Sequence, residues 1–428
     1  MPTQHLNEAS LLSATTRLES AIAAADRLEG RLKAFSYRPS SYSNDATAGE
    51  TALSGVPVAV KDLIDTADMP TAYGSKIFEG HRPKKDAWIV QRLREAGAII
   101  FGKTVTTEFA WRDPGLTVNP WNAAYSPGGS SSGSAAAVGA GIVDIAIGTQ
   151  TVGSIIRPSS YCGAVGYKPT YGAILREGTR FVSPTLDHLG FITSSCYWAA
   201  AAHQLIVKSG TVADNSQKLD FHQTRKPKKL GIYRSSLWSH VDADVKDNFD
   251  AVVRLIEANG IQCVDVSLSL DIREIITATN KIMAYEVKQN LYEDIKGELE
   301  KAGPWTRELI KEGEKVPKAD YDDLRALIAN LRMERDRPLD GLDAIISITS
   351  PTSAPMGLSK TGDAAFCAPW TFLGLPALTI PSGLSSTLLP LGVQLIGRGN
   401  EDGELIMLGQ WLSGTLPRLA CPDAQFND

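Results

Sequence analysis

The sequence predicts a single α/β domain in which helices cover a β-sheet. Short β-branched segments alternate with amphipathic segments along most of the 428 residues, which is the pattern of βαβ units. No internal repeat and no clean linker separates the chain into independent units. We therefore expect one domain that spans residues 1–428.

The individual elements follow from the spacing of apolar residues. An amphipathic helix is predicted from about residue 10 to 33, where leucines recur among charges. Further helices are predicted before Gly97, in the Ala/Gly-rich run 135–141 and at 242–259. Strands are predicted at 56–60, 99–101, 143–147, 229–233, 261–266, 344–348, 377–380 and 391–396. Residues from about 271 to 337 are charged and mostly helical, and we expect them to form substrate-facing surface.

Composition and charge exclude several classes of protein. Hydrophobic residues make up 43% and charged residues 21%, as in ordinary globular proteins. The net charge is −5 and no Lys/Arg block interleaves with aromatic residues, so no nucleic-acid partner is expected. The small-residue apolar stretch 135–147 is interrupted by Asp144 and is too short for a bilayer, so no membrane partner is expected.

Cysteine usage and the N-terminus indicate the compartment. The five cysteines lie far apart and form no C-x-x-C or Cys/His cluster, so neither a disulfide framework nor a zinc site is predicted. No metal or other cofactor is expected. The N-terminus lacks a basic start followed by an apolar core, so no signal peptide is predicted and a reducing cytoplasm is the expected location.

Lys61 is the first candidate functional residue, because it ends the predicted strand 56–60. One interpretation is a surface lysine paired with the adjacent Asp62. The alternative is a buried lysine, for which desolvation disfavours the charged form and lowers the pKa. A neutral amine of that kind can act as a general base near neutral pH.

The Gly/Ser-rich loop 128–134 admits three interpretations. It can be a flexible linker, and it lacks the pattern of a phosphate-binding P-loop. Residues 129–133 formally match the G-x-S-x-G nucleophile elbow, which requires a strand upstream and a catalytic histidine downstream. The upstream residues 122–127 make a poor strand, and the last histidine, His240, lies in no catalytic context.

Ser154 follows a predicted strand and the turn Thr151-Val152-Gly153. A tight turn there points consecutive backbone N–H groups toward one spot, as a catalytic oxyanion requires. Taken alone, a serine in this position is more often an ordinary turn residue.

Together these features resemble the amidase signature family, and the resemblance runs from about residue 10 to 415. The strand motif is matched by Gly55-Val56-Pro57-Val58-Ala59-Val60-Lys61-Asp62, and the loop and nucleophile motifs by Gly128-Gly129-Ser130-Ser131 and Gly148-Thr149-Gln150-Thr151-Val152-Gly153-Ser154. Later matches are Gly166-Tyr167-Lys168-Pro169-Thr170, Gly374-Leu375-Pro376-Ala377 and Leu391-Gly392-Val393-Gln394.

The resemblance implies a large central mixed β-sheet with helices on both faces and a signature core at about 55–200. It also implies an amidase that needs no cofactor and works through a Ser–cisSer–Lys triad. Ser154 is then the nucleophile, Ser130 the bridging serine after a cis peptide bond, and Lys61 the base. The N–H groups of Thr151, Val152, Gly153 and Ser154 hold the oxyanion, and water hydrolyses the acyl-enzyme.

The motif departs from the family before the nucleophile. The family usually has Asp-x-Gly-Gly-Ser, and this chain has Gln150-Thr151-Val152-Gly153-Ser154. A β-branched valine resists a positive φ, so the turn either stays in an allowed region or the oxyanion hole is impaired. Gln150 also removes a carboxylate that would repel an anionic substrate.

Arg157, three residues after the nucleophile, points to the substrate. It can brace the loop by hydrogen bonds to carbonyls, or it can clamp a substrate carboxylate. The Gly-Thr-Gln-Thr context, the Ser-rich loop and this arginine are most similar to malonamidase-type members. That resemblance implies a small carboxylated amide such as a malonamate-like acid, with Thr149 and Ser131 as further substrate contacts.

Three functions remain open from the sequence. The first is a stand-alone amidohydrolase whose partner is a small-molecule amide, with a homodimer as one expectation for its assembly. The second is the amidotransferase subunit that acts on mischarged tRNA, which needs partner chains. The third is a binding protein whose oxyanion hole Val152 has impaired.

Overall fold

The computed structural model describes residues 14–42, 51–208 and 222–419. Its centre is one eleven-stranded sheet in the order β1-β3-β2-β4-β6-β5-β10-β11-β9-β7-β8. The strands are β1 (Phe35–Tyr37), β2 (Pro57–Lys61), β3 (Ile99–Thr104), β4 (Ile145–Gln150), β5 (Val165–Lys168), β6 (His188–Thr193), β7 (Lys229–Tyr233), β8 (Gln262–Val266), β9 (Ala344–Ile348), β10 (Ala377–Leu384) and β11 (Pro390–Ile396).

The sheet is mixed, as predicted. Strand β2 pairs in parallel with β3 and β4 near one edge, and β7 pairs in parallel with β8 and β9 at the other. The strands between β4 and β9 pair antiparallel to their neighbours. Strands β1, β5 and β6 were not predicted, because they are short or broken by glycine and so carry a weak periodic signal.

The α-helices of the described residues are α1 (Ala14–Leu32), α2 (Trp88–Glu95), α3 (Ser132–Gly139), α4 (Ile156–Tyr161), α5 (Cys196–Lys208), α6 (Ala243–Ala258), α7 (Ile272–Ile295), α8 (Pro304–Glu314), α9 (Lys318–Met333), α10 (Ala368–Phe372) and α11 (Asp402–Thr415). The first four residues of the predicted N-terminal helix lie outside the described residues. Apolar side chains of β2 and β4 alternate between two core clusters, so both faces of the sheet are covered. In the described residues no helix combines the length and apolar character needed to cross a bilayer.

Helix α3 brings the Gly/Ser-rich loop close to the sheet. The helix packs against β2, β3, β4 and β6 through its small side chains. A Cβ atom added at Gly133 would lie 2.1 Å from the carbonyl oxygen of Ala34 and 2.5 Å from the amide nitrogen of Val105. Glycine is therefore required there by close backbone approach, and this approach fixes the loop 128–131 beside the end of β2.

The predicted helical segment 271–337 contains α7, α8 and α9. Helix α7 begins with a capping box, in which the Asp271 side chain accepts from the N–H of Arg273 and Glu274 reaches back to the N–H of Asp271. Helices α8 and α9 both pack on α7. The segment 271–337 is therefore helical, as predicted, and α7 connects it to the rest of the domain by packing on α10.

Candidate active site

Lys61 lies at the end of β2, and its side chain is fully buried. Its Nζ is within hydrogen-bond distance of three hydroxyl oxygens: Ser130 Oγ at 2.8 Å, Ser131 Oγ at 3.0 Å and Thr149 Oγ1 at 2.7 Å. Burial lowers the pKa of Lys61 well below its ordinary value, and the charge of Asp187 opposes this effect only in part. The site therefore favours the neutral amine.

The adjacent carboxylate of Asp62 interacts with a different lysine. Successive side chains of a strand point to opposite faces, so Asp62 is directed away from Lys61. One of its oxygens lies 3.4 Å from Lys103 Nζ, and both accept from the N–H of Ala72 at 3.2–3.3 Å. The interpretation of Lys61 as a surface lysine paired with Asp62 is therefore wrong.

Ser131 and Thr149 lie beside Lys61 and do not line the cavity described below. Ser131 Oγ also donates to the carbonyl oxygen of Thr149 and accepts from its N–H, each at 3.3 Å. Both hydroxyls are engaged with the lysine, and their role as substrate contacts stays a prediction. The position of Ser131 argues against the nucleophile elbow, whose serine would be this fully buried residue.

Ser130 follows a cis peptide bond from Gly129, as the family resemblance implies. Its carbonyl oxygen accepts from the N–H of Thr107 at 3.3 Å, which ties the loop to the segment after β3. Its side chain lines the same cavity as Ser154. Ser130 is thus the residue that contacts both Lys61 and the cavity.

Ser154 lies on the turn between β4 and α4, half-buried at the cavity wall. Within the described ranges its hydroxyl has no hydrogen-bond partner, and no hydrogen bond joins it to Ser130. The backbone N–H groups of residues 151–154 likewise donate to no group in this part of the chain. Four consecutive N–H groups are therefore available at the predicted oxyanion hole.

Gln150 braces this turn from within the core. Its Oε1 accepts from the N–H groups of Ile155 and Ile156 at 2.8 and 3.0 Å, and its Nε2 donates to Thr371 Oγ1 at 3.0 Å. It is 1% exposed and does not line the cavity. Gln150 therefore does not contact a substrate in the cavity directly. Its side chain instead holds the backbone just after the nucleophile turn.

Val152 does not take the strained conformation that its β-branching would resist. The φ angle of Val152 is not positive. Its carbonyl oxygen accepts from Thr371 Oγ1 at 2.7 Å, and its side chain packs against the core cluster that includes Phe372. The first of the two outcomes expected for this turn, an allowed backbone, is the one observed.

Gly153 is required for space. Its φ is not positive either, but an added Cβ would lie 2.8 Å from Ala364 Cβ and 3.0 Å from Cys367 Cβ. Such distances are below ordinary van der Waals contact. The turn therefore packs directly on the segment before α10.

Arg157 lies on α4 with 7% of its surface exposed. Its Nη2 donates to the carbonyl oxygen of Gly129 at 2.6 Å and its Nη1 to that of Gly362 at 3.1 Å, while the buried Nε has no partner. Desolvation lowers its pKa. Arg157 therefore braces the loop and also places a positive charge at the cavity wall. In the described residues no carboxylate forms an ion pair with it, and the charge of Asp363 opposes the effect of desolvation only in part.

The cavity beside Ser130 and Ser154 has a volume of about 640 Å³. Its wall includes Arg157 and, from the helical segment, Ile276, Met283 and Trp305. Pockets of roughly 300–1,000 Å³ are typical of small-molecule sites. Further lining residues include Trp111 and Arg112, which follow β3, and Lys360 and Asp363.

Asp187 is a site residue that was not predicted from the sequence. It is buried just before β6, accepts from Thr151 Oγ1 at 2.5 Å and accepts from the N–H groups of Val182 and Ser183 at 2.7 and 2.9 Å. Burial raises its pKa to about 6. A single aspartate beside a strand has no distinctive spacing, so only the fold reveals its contact with the turn.

The fold and the lysine–serine arrangement define the class of protein, an enzyme that hydrolyses amide C–N bonds. The chain belongs to the amidase family, whose model matches residues 15–406. A Glutamyl-tRNA(Gln) amidotransferase subunit from Carboxydothermus hydrogenoformans is 34% identical over 397 residues, covering 83% of this chain and 82% of the relative.

Solved structures agree with this assignment. A crystal structure of an amidase superposes with a TM-score of 0.84 at 28% identity, covering 96% of this chain and 98% of that one. The corresponding Glutamyl-tRNA(Gln) amidotransferase subunit from Thermotoga maritima gives 0.79 at 27% identity, covering 97% of each chain. The predicted family and fold are confirmed, whereas the finer likeness to malonamidase-type members is not supported by these relatives.

Proposed function

We propose that this chain cleaves a carboxamide through an acyl-enzyme, with Ser154 as nucleophile, Ser130 as proton bridge and Lys61 as base. The observation that carries the proposal is the 2.8 Å contact between the buried Lys61 Nζ and Ser130 Oγ. A serine hydroxyl is a weak nucleophile and needs a base. Lys61 supports that role because burial lowers its pKa.

The hydrogen bonds around Lys61 give the relay a direction. A neutral amine has two N–H donors and one lone pair. The Ser131 proton goes to the carbonyl oxygen of Thr149, so Ser131 Oγ accepts from Lys61. With a second N–H directed to Thr149 Oγ1, the lone pair is left for the proton of Ser130.

Catalysis then follows from proton transfer along this path. Ser130 passes its proton to Lys61 and takes the proton of Ser154 as Ser154 Oγ attacks the amide carbonyl. The unengaged N–H groups of residues 151–154 stabilise the oxyanion. The protons return through Ser130 to the leaving nitrogen, and water hydrolyses the ester by the same route.

Arg157 supports an anionic substrate. A buried charge without a counterion is costly, and a ligand carboxylate in the cavity would offset part of that cost. Nη1 and Nη2 donate to carbonyls and Nε is buried, so Arg157 acts on the ligand mainly through its charge at the cavity wall. The Arg157→Ala variant should lose activity on malonamate more than on a neutral primary amide. Equal losses on both would leave Arg157 with the bracing role alone.

The amidotransferase function is the second candidate, and the curated relatives favour it more directly than they favour a stand-alone hydrolase. Relatives at 31–34% identity are described as subunits of Glutamyl-tRNA(Gln) amidotransferase. Both functions begin with the same amide cleavage at Ser154. The purified chain therefore decides between them: multiple turnovers on a simple amide without partner chains support the hydrolase, and release of ammonia only with partner chains supports the amidotransferase.

The nucleophile itself is tested by covalent labelling. A fluorophosphonate probe should label the wild-type chain, and intact-mass measurement should show the adduct lost in Ser154→Ala. Ser132→Ala is a matched control from the same loop, since Ser132 Oγ donates to the carbonyl oxygen of Val105 and the residue does not line the cavity. Absence of labelling in the wild type would favour a binding protein without catalytic activity.

A further inference from the structure

Part of the cavity wall is not used by the catalytic steps. Trp111 and Arg112 in the loop after β3, with Trp305 in α8, line the cavity that contains Ser154. The same three residues also line a neighbouring cavity of about 290 Å³. They therefore lie where the two spaces meet, and neither Ser130 nor Ser154 lines the second space.

Arg112 lies over two indole rings. Its guanidinium carbon lies 4.8 Å from the ring centroid of Trp111 and 5.5 Å from that of Trp305. Such contacts occupy the faces of a guanidinium and leave its N–H donors at the edge. Arg112 is exposed at the cavity wall. In the part of the chain that the structure describes, its guanidinium forms neither a hydrogen bond nor an ion pair.

The loop that carries Arg112 is fixed in place. Phe109 and Ala110 both take left-handed backbone conformations, with φ of 46° and 59°. Strained positions of this kind persist where surrounding contacts over-determine them, and they cluster at functional sites. In this loop the two residues with a positive φ are those immediately before Trp111.

Two carboxylates attach this loop to the start of α8. Glu108 accepts from the N–H of Gly303 at 2.7 Å and from Thr306 Oγ1 at 2.6 Å. Asp113 accepts from the N–H groups of Trp305 and Thr306 at 3.1 and 3.2 Å. These bonds join the loop that carries Trp111 to the helix that carries Trp305 without using the arginine itself, so Arg112 is not needed to join the loop to the helix.

We propose that Arg112 is a specificity residue that binds a carboxylate at the far end of the substrate, separated from the scissile amide by an apolar spacer. This inference rests on the proposed amidase function and narrows its substrate class to long monoamides of dicarboxylic acids. A guanidinium edge with all donors unengaged suits bidentate binding of a carboxylate. The spacer lies along Ile276 and Met283, which are apolar side chains in the wall of this cavity. Met283 also lines the neighbouring cavity.

The cavity volume favours this class over the smallest acids. A malonamate-like acid fills only a small part of about 640 Å³. The carboxylate of such an acid lies one carbon away from the amide, so Arg157, near Ser154, would bind it. A longer monoamide instead extends toward Arg112, whose donors are free, while those of Arg157 are largely taken up by the carbonyls of Gly129 and Gly362.

The test is a chain-length series of primary amides. Monoamides of malonic, adipic and para-phenylenediacetic acid are each compared with the neutral amide that lacks the carboxyl group. In the wild type, the carboxylate should raise kcat/KM about tenfold for the two longer amides, the effect of one charge-assisted hydrogen bond of roughly 1.5 kcal/mol. In Arg112→Gln that tenfold ratio should disappear for the longer amides.

Two control variants separate the alternatives. Arg92→Gln removes an arginine that also lies over an indole, 5.9 Å from the ring of Trp88, but does not line the cavity, so it should keep the wild-type ratio. Lys360→Gln removes a second cationic side chain of the cavity wall that could bind the substrate carboxylate in place of Arg112. A wild type that does not discriminate, an Arg112→Gln variant that keeps the ratio, or a ratio lost only in Lys360→Gln would each overturn the assignment to Arg112.

Failure of the amidase function would be distinguishable. If the wild type hydrolyses no amide, the same ratios are measured as dissociation constants by calorimetry on Ser154→Ala. A tenfold preference for the long carboxylated amides that disappears in the Ser154→Ala, Arg112→Gln double variant supports the specificity site even then. Equal dissociation constants in both variants overturn it.

Discussion

Thr151 Oγ1 donates a 2.5 Å hydrogen bond to Asp187 Oδ1, which joins the first residue of the candidate oxyanion turn to the start of β6. The other carboxylate oxygen accepts from two backbone N–H groups, so Asp187 holds the turn from outside the cavity. It also raises the pKa of Lys61 electrostatically. One buried carboxylate therefore influences both the shape of the turn and the protonation of the candidate base.

Replacing Asp187 by asparagine should move the pH dependence of catalysis. Lys61 must be neutral to act as a base, so kcat/KM rises with pH through its pKa. Removing the negative charge lowers that pKa further, and the acidic limb of the profile should shift to lower pH. The measurement is kcat/KM across pH on one amide. A fall in kcat with an unmoved limb would mean that Asp187 acts only on the turn.

Removing either member of the relay should lower kcat by about 10²–10⁴-fold, the range typical of general acid–base catalysis. Lys61→Ala and Ser130→Ala should do so with little change in KM, because neither residue binds the ground-state substrate in the proposed mechanism. Folding is checked by thermal unfolding, since Lys61 fills buried space. Near-wild-type turnover in Lys61→Ala would refute the relay.

Local sequence patterns were sufficient to predict that Lys61 ends a strand and that Ser154 lies in a turn after a strand. A lysine directly after four apolar residues and a serine after a glycine turn are visible within one strand length. The strands β5 and β6 escaped this approach because glycine interrupts their apolar pattern, so their pairing with β4 and β10 depends on tertiary contacts.

Contacts between distant segments could not be read from the sequence. Ser131 and Thr149 look like loop and strand-end residues that face a substrate, yet both bond to Lys61, which lies 70 and 88 residues away in the chain. The approach of Trp305 to Arg112 is of the same kind. Such pairs are set by the packing of whole helices on the sheet, which no local pattern encodes.

Gly153→Ala should destabilise the protein by about 1–3 kcal/mol and lower kcat, because the new methyl group overpacks the turn. The cost is steric, since φ at this position is not positive. Ala364→Gly removes the Cβ that would lie 2.8 Å away and should restore part of the stability in the double variant. Denaturant unfolding measures both effects. If the double variant is no more stable than Gly153→Ala, the new methyl group clashes mainly with Cys367 and not with Ala364.

Val152→Gly tests whether the valine impairs the oxyanion hole. Because Val152 already has an allowed backbone, glycine relieves no strain and should not raise kcat. It removes a side chain packed near Phe372 and adds freedom to the unfolded chain, so stability should fall by about 1 kcal/mol or more. Val152→Ala, which keeps the backbone restricted, is the matched variant. Steady-state kinetics on a primary amide decide the matter: a several-fold rise in kcat for glycine but not for alanine would show that the turn is held away from its productive conformation.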